Sequence, residues 1–220
     1  MSRKKLVRFA QNEANPNVIQ AGKPIFETIK GNWHEVQFHN QHPIVVELAC
    51  GRGEFTVGLG REYRNQNFIG VDIKGSRIWK GSSTATSEGL ANVAFLRTQI
   101  QNLTEFFAQG EISELWITFP DPFPRDGDEK RRLTSPKFLE MYKPLIQENG
   151  VLHFKTDNTG LYEYTDLVLS ERPDCQIHYN TADFYESELR EAHHGIKTRY
   201  EKIFSDKGEK IKYIQFSFIA

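Results

Sequence analysis

Short apolar runs of similar length recur along this chain, and helix-like segments separate them. PIVVEL (43–48), NFIGVDI (67–73), NVAFLRT (92–98), ELWITF (114–119) and VLHFKT (151–156) are too short for buried helices and rich in β-branched and aromatic residues. Between them FTVGLGREY (55–63), SRIWKGSSTATSEG (76–89), LTEFFAQ (103–109) and SPKFLEMYKPLIQENG (135–150) read as helices, and TGLYEYTDLVLSE (159–171) follows the last run. The segment 135–150 has Ser135 as a cap, Pro136 at its first position and Gly150 beyond its end. Near-continuous apolar strands alternating with helices predict βαβ units and a parallel sheet covered on both faces. The tail breaks the rhythm. TRYEKIF (198–204), the turn SDKGEK and then IKYIQFSFI (211–219) read as an antiparallel hairpin. In its last strand Lys212, Ile214, Phe216 and Phe218 point one way, and Ile211 and Tyr213 the other. The expected fold class is α/β: a doubly wound, mostly parallel, Rossmann-like sheet with an antiparallel C-terminal hairpin.

The rhythm starts late. Residues 1–20 are polar, with Asn-Pro-Asn as a breaker, and read as a basic, weakly ordered arm carrying Arg3, Lys4, Lys5 and Arg8. Lys23-Pro24 opens a short helix, and residues 21–220 read as one domain. At 38% hydrophobic residues the chain has enough apolar side chains for a large core, yet no run approaches the ~18 that cross a membrane. The first residues lack the apolar centre of a signal peptide, and two cysteines, Cys50 and Cys175, make neither a disulfide framework nor a metal pattern. His193-His194 lacks metal-ligand spacing and reads as a surface turn. A cytoplasmic protein without a metal, monomer or homodimer, is expected. With a formal net charge of −1, a nucleic-acid surface has to come from local clusters. Arg125 with Lys130, Arg131 and Arg132 is one, and the lysines between 197 and 212 are another.

The first strand ends in VELACGRGEF (46–55). Gly51 and Gly53 allow a tight turn and a close backbone approach to a ligand. A dinucleotide fingerprint asks for a third glycine where Thr56 stands. Glu47 precedes the turn and Asp72 ends the second strand. An acid at the turn repels a pyrophosphate and attracts a cationic amino-acid ligand, while Asp72 suits the two hydroxyls of a ribose. S-adenosylmethionine, with a ribose, an ammonium, a sulfonium and no phosphate, fits this set. The pattern resembles the class I methyltransferases. That resemblance implies an adenine contact at the end of the third strand, where an acid is usual and this chain has Gln99, whose amide oxygen can accept from the adenine amino group.

The fourth strand runs into PDPFPRDGDEKRRL (120–133). In a doubly wound sheet its end lies beside that of the first strand, where the strand order reverses and ligands bind. Prolines on both sides of Asp121 fix φ and remove donors, so the loop holds one shape there. Cys50, beside the turn, reads as a small buried side chain rather than a nucleophile.

PDPFP with KRRL, then HFKTDN (153–158), then TRYE (198–201) is similar to the tRNA (guanine-N7-)-methyltransferase family, from about residue 44 to the C-terminus. The resemblance implies methyl transfer from S-adenosylmethionine to N7 of a variable-loop guanine in tRNA. It implies that Glu47, Gly51, Gly53, Asp72, Gln99 and Asp121 line the cofactor site, with Asp121 catalytic. Arg125, Asp157, Thr198, Arg199, Tyr200 and Glu201 would meet the guanine nucleotide, and Gly127, Asp128, Glu129, Lys130, Arg131 and Arg132 would touch RNA. Phe123 stands in place of the usual tryptophan, and Asp126, Gly127 and Asp128 where basic residues are common. Guanine offers N1–H and an amino group on its Watson–Crick edge, and a carboxylate such as Asp157 or Glu201 can accept from both. Asp157 can equally cap the helix that follows it. A class I methyltransferase for a small molecule and a non-catalytic RNA-binding module on the same fold are the other readings.

Overall fold

The computed structural model describes residues 3–191 and 195–219; His193-His194 lies outside them. Eight strands form one sheet in the order β1-β4-β3-β2-β5-β6-β8-β7. They are β1 (Val18–Gln20), β2 (Ile44–Leu48), β3 (Asn67–Val71), β4 (Val93–Arg97), β5 (Ile112–Thr118), β6 (Ile146–Thr156), β7 (Cys175–Thr181) and β8 (Lys212–Phe218). From β1 to β6 all neighbours are parallel, and β8 pairs antiparallel with both β6 and β7. The helices are α1 (Arg3–Ala14), α2 (Glu54–Glu62), α3 (Gly75–Ser87), α4 (Pro136–Tyr142), α5 (Thr159–Ser170) and α6 (Arg199–Asp206). None in the described residues is long and apolar enough to cross a membrane.

The period of two decides the layers. Ile44, Val46 and Leu48 of β2 join one core cluster, together with Leu115, Ile117, Leu152, Phe154, Ile214 and Phe216. Val45 joins the opposite cluster with Phe68, Phe95, Trp116 and Tyr213. Glu47 shares Val45's parity, so its carboxylate points to the α2 side of the sheet. β8 divides as expected, with Ile214 and Phe216 on one face and Ile211 and Tyr213 on the other. Buried on both faces, the central strands have the apolar sequences a parallel sheet requires.

Four segments differ from expectation; the simplest is 103–109, expected as a helix, where a 3-10 stretch over Ile100–Glu105 forms instead. The antiparallel C-terminal pair is present, but β8's second partner is β7, and residues 199–206 form α6. Thr198 and Glu201 build a capping box there, which turns T-R-Y-E into a helix start. The helix expected over 135–150 stops at Tyr142, because Pro144 has no N–H for a further turn. Strand β6 begins at Ile146, with an irregular register opposite Ile112 and Glu114. Within the first twenty residues the chain forms α1 and β1 instead of a weakly ordered arm. The Asn12 amide donates to the Gly75 carbonyl at 2.8 Å, the Asn15 amide to the Ser82 hydroxyl at 2.8 Å, and β1 pairs with β4. These asparagine partners lie on α3, out of reach of a local reading of the polar segment.

Candidate active site

From β2 the chain steps outward through β3 and β4, then returns to β5 on the other side of β2. The carboxyl ends of β2 and β5 therefore flank the point where the strand order reverses. A pocket of about 590 Å³ opens there, lined by Glu47 and Ala49–Arg52 from the end of β2, Thr118–Pro122 from the end of β5, and Asp157 and Asn158 after β6. Thr198, Arg199, Tyr200, Ile203 and Phe204 of α6 and its cap close the far side.

The backbone is strained at both strand ends. Ala49 and Phe119, neither of them glycine, have φ of 55° and 49°, and Phe123 has 43°. Such conformations cost on the order of 1–3 kcal/mol and persist where neighbours over-determine them. Hydrogen bonds supply that. The Cys50 amide donates to the Val71 carbonyl at 3.0 Å, and the Phe119 amide to the Lys155 carbonyl at 2.8 Å. Pro120 and Pro122 stiffen the loop beyond Phe119, so exposed Asp121 is held at the rim by its backbone.

Glu47 is almost fully buried. One oxygen accepts from the Thr118 hydroxyl at 2.7 Å; the other accepts from the Thr56 amide at 3.0 Å and from the Thr56 hydroxyl. The residue thus ties β2 to α2 and to β5 beneath the pocket. Burial pushes its carboxyl up to about 7, against the pull of these hydrogen bonds. Asp72 accepts from the Gly51 amide at 3.0 Å and the Lys74 amide at 2.7 Å, so it shapes the glycine turn. Cys50 is buried, and burial with the Glu47 and Asp72 charges raises its thiol well above the ordinary range, which leaves no thiolate nucleophile.

The two glycines divide their work. A Cβ on Gly51 (φ 57°) would find nothing nearer than the Ala49 carbonyl oxygen at 3.9 Å, so its backbone faces open pocket. A Cβ on Gly53 (φ 67°) would sit 2.4 Å from the Phe95 ring, so that glycine serves packing.

Of the residues singled out by sequence, the pocket brings together Glu47, Gly51, Asp121, Asp157, Thr198, Arg199 and Tyr200. Asn158 caps α5 by accepting from the Leu161 amide at 2.8 Å, which leaves the half-buried Asp157 side chain to the pocket. Burial raises the Asp157 carboxyl. Gly53, Asp72, Gln99, Arg125 and Glu201 do not line the pocket. Gln99 is exposed past the end of β4, and Glu201 is fully buried beneath α6. Residues 126–131 form a short 3-10 turn held to its surroundings: Arg131 meets Asp128 at 3.0 Å, Glu129 accepts from the Tyr164 hydroxyl at 2.9 Å, and the Arg132 guanidinium donates to the Phe123 carbonyl at 3.1 Å and lies over the Tyr164 ring. Arg52, Glu54 and Arg77 also line the pocket. Arg52 lies inside the G-R-G turn, where its position was the signal; Arg77, on the helix after β3, had none. Among the described residues no group of three or more His, Cys, Asp or Glu side chains could hold a metal ion.

A family model described as a putative methyltransferase matches residues 41–214. A tRNA (guanine-N(7)-)-methyltransferase of Cytophaga hutchinsonii is 44% identical over 220 residues, covering 100% of this chain and 99% of the relative. One of Christiangramia forsetii is 46% identical, with 98% of each chain covered. Among solved structures, a 30S ribosomal A1408 methyltransferase from an uncultured bacterium superposes with a TM-score of 0.59 at 16% identity, over 80% of this chain and 88% of that one. The 16S rRNA methyltransferase KamB gives 0.58 at 14%, over 91% and 95%. These last two share the fold. The fold and the family model imply a methyl donor. Matched over its whole length at such identities, and built on the methyltransferase fold, the chain belongs to the tRNA (guanine-N7-)-methyltransferase family.

Proposed function

We propose that this protein transfers a methyl group from S-adenosylmethionine to N7 of a variable-loop guanine in tRNA, in the cytoplasm. The observation that carries the reading is one pocket at the strand-order reversal, where the glycine turn meets the rigid Asp121 loop and the mixed polar and apolar wall of α6. Full-length relatives bearing that activity in their names support it. Neither a small-molecule substrate nor a silent RNA-binding module is favoured beside them.

The residues present fit the cofactor. Gly51 leaves backbone facing open space, Glu47 in the pocket lining suits a cation and would repel a phosphate, and Asp72 holds the turn from behind through the Gly51 amide. S-adenosylmethionine supplies an electrophilic methyl on a sulfonium. Guanine N7 presents an in-plane lone pair and carries no proton, so no residue need act as a base. The task of the protein is in-line positioning and charge stabilisation. Asp121, rigid at the rim, stabilises positive charge as it moves toward the purine. Asp157, Thr198, Arg199 and Tyr200 present the polar groups that meet the nucleotide, with Glu201 behind them and Arg125 at the outer end of the loop. Residues 127–132 meet the RNA backbone once phosphates replace Asp128 as the partner of Arg131.

Methyl transfer to unmodified tRNA, with the product nucleoside identified, tests the reading. N7-methylguanosine at a single variable-loop position is expected. Transfer to bulk small molecules but not to tRNA would refute it.

A further inference from the structure

Helix α6 is the wall of the pocket contributed from furthest along the chain, and two attachments hold it. At its first turn the Arg199 amide donates to the Glu54 carboxylate at 2.6 Å. Beneath it lies Glu201, whose Oε1 stands 2.5 Å from the Lys155 ammonium and accepts from the Tyr185 hydroxyl at 2.5 Å. Oε2 of Glu201 accepts from the Thr198 amide at 3.4 Å to close the capping box. Both oxygens are occupied, and the side chain is 0% exposed.

Lys155 is the unusual member. A buried ammonium is costly without a partner. This one is 1% exposed, 4.8 Å from the centre of the Phe184 ring and 6.0 Å from that of Phe119. Burial lowers its pKa, and Glu201 pulls the other way. Its main chain has a second task, because its carbonyl accepts from the amide of Phe119, the positive-φ residue that turns β5 into the Asp121 loop. One residue therefore fixes the root of that loop with its backbone and the underside of α6 with its side chain. At eight residues α6 is too short to hold its place without such anchors.

We infer that Lys155 and Glu201, completed by Tyr185, form a buried positioning pair that sets α6 against the Asp121 loop and so fixes the width of the guanine slot. Neither side chain touches the substrate. The inference rests on the assignment of the pocket to a guanine nucleotide. Removing one partner strands a buried charge, whereas removing both does not, so the loss should be strongly non-additive.

The experiment combines hydrogen exchange of the α6 amides with steady-state kinetics for Lys155→Met, Glu201→Gln, the double variant and Tyr185→Phe. Each of the first two should speed exchange in α6 at least ~30-fold and raise the KM for tRNA about 10-fold or more, with cofactor Kd within about 3-fold. The double variant should be less impaired than Glu201→Gln alone. Tyr185→Phe keeps the ion pair and the fold, and should raise α6 exchange about 3- to 10-fold. Were Glu201 to read the base directly, the double variant would be no better than Glu201→Gln. Unchanged α6 exchange in every variant, or additive losses, would overturn the pair. Exchange is read without tRNA, so it decides the pair even if the wild-type protein fails to methylate tRNA.

Discussion

At the scale of single residues, two carboxylates that line one pocket sit in different surroundings. Asp121 is exposed at the rim and Glu47 is buried below it. If Asp121 acts on charge rather than on a proton, Asp121→Asn should slow single-turnover methylation roughly 30- to 150-fold, from about 2–3 kcal/mol of lost transition-state stabilisation. Cofactor affinity should fall much less. The same rate in the variant, with cofactor and tRNA saturating, would remove Asp121 from catalysis. Glu47 makes a thermodynamic prediction. Its carboxyl rises from 4.5 to about 7 on folding. Between those values the unfolded chain gives up this proton first, so without cofactor the protein loses stability as pH rises from about 4.5 to 7 and then levels off. The shift corresponds to about 3 kcal/mol. Denaturant unfolding at pH 5 and pH 8 should show a drop that is smaller by about that amount in Glu47→Gln, and equal drops would contradict it. Glu47, Gly51 and Asp121 were legible because each sits within a few residues of a strand end that a glycine turn or a pair of prolines marks. The work of Asp72 on the Gly51 amide was not, since the sequence does not reveal which way a carboxylate turns.

At the scale of elements, the first turn after β2 shows how one motif serves two ends. The Phe95 ring, centred in the α2 side of the core, meets the places where Gly53, Gly70 and Gly81 lack a Cβ, at 2.4, 2.9 and 2.6 Å. Three glycines from three elements make room for one ring. Gly53→Ala should therefore cost about 2–4 kcal/mol of stability, from overpacking together with a positive φ, as read from the shift in denaturant midpoint. Gly51→Ala should cost less stability and more cofactor affinity, because its Cβ would enter the pocket. The reverse ranking would show the turn misassigned. The five central parallel strands, β2 to β6, were readable from run length and composition, whereas three-residue β1 was not. The ends of 135–150 and the state of 198–204 were not. In the first, Pro144 outweighs a helical pattern; in the second, a capping box outweighs aromatic and β-branched residues that suit a strand as well as a helix.

At the scale of the whole molecule, a net charge of −1 leaves tRNA binding to local fields. Raising salt from about 50 to 200 mM should weaken tRNA binding at least ~10-fold if two or more phosphates are neutralised, with little change for the cofactor. Replacing Arg131 and Arg132 together should flatten the slope of log K against log salt. A slope that stays the same would leave these arginines as structural partners of Asp128, Phe123 and Tyr164. The sequence by itself determined the sheet class, the position of the pocket at the strand-order reversal and the family, because alternation of apolar runs, a glycine turn and proline-bracketed loops are properties of near neighbours in the chain. Only the tertiary structure decided that α6 closes the pocket, that Glu201 lies beneath it with Lys155, and that Gly53 serves a phenylalanine ring. The Arg199–Glu54 bond spans 145 residues. Whether a charge is stable in the core depends on the partner that folding brings to it, and no local pattern records that partner.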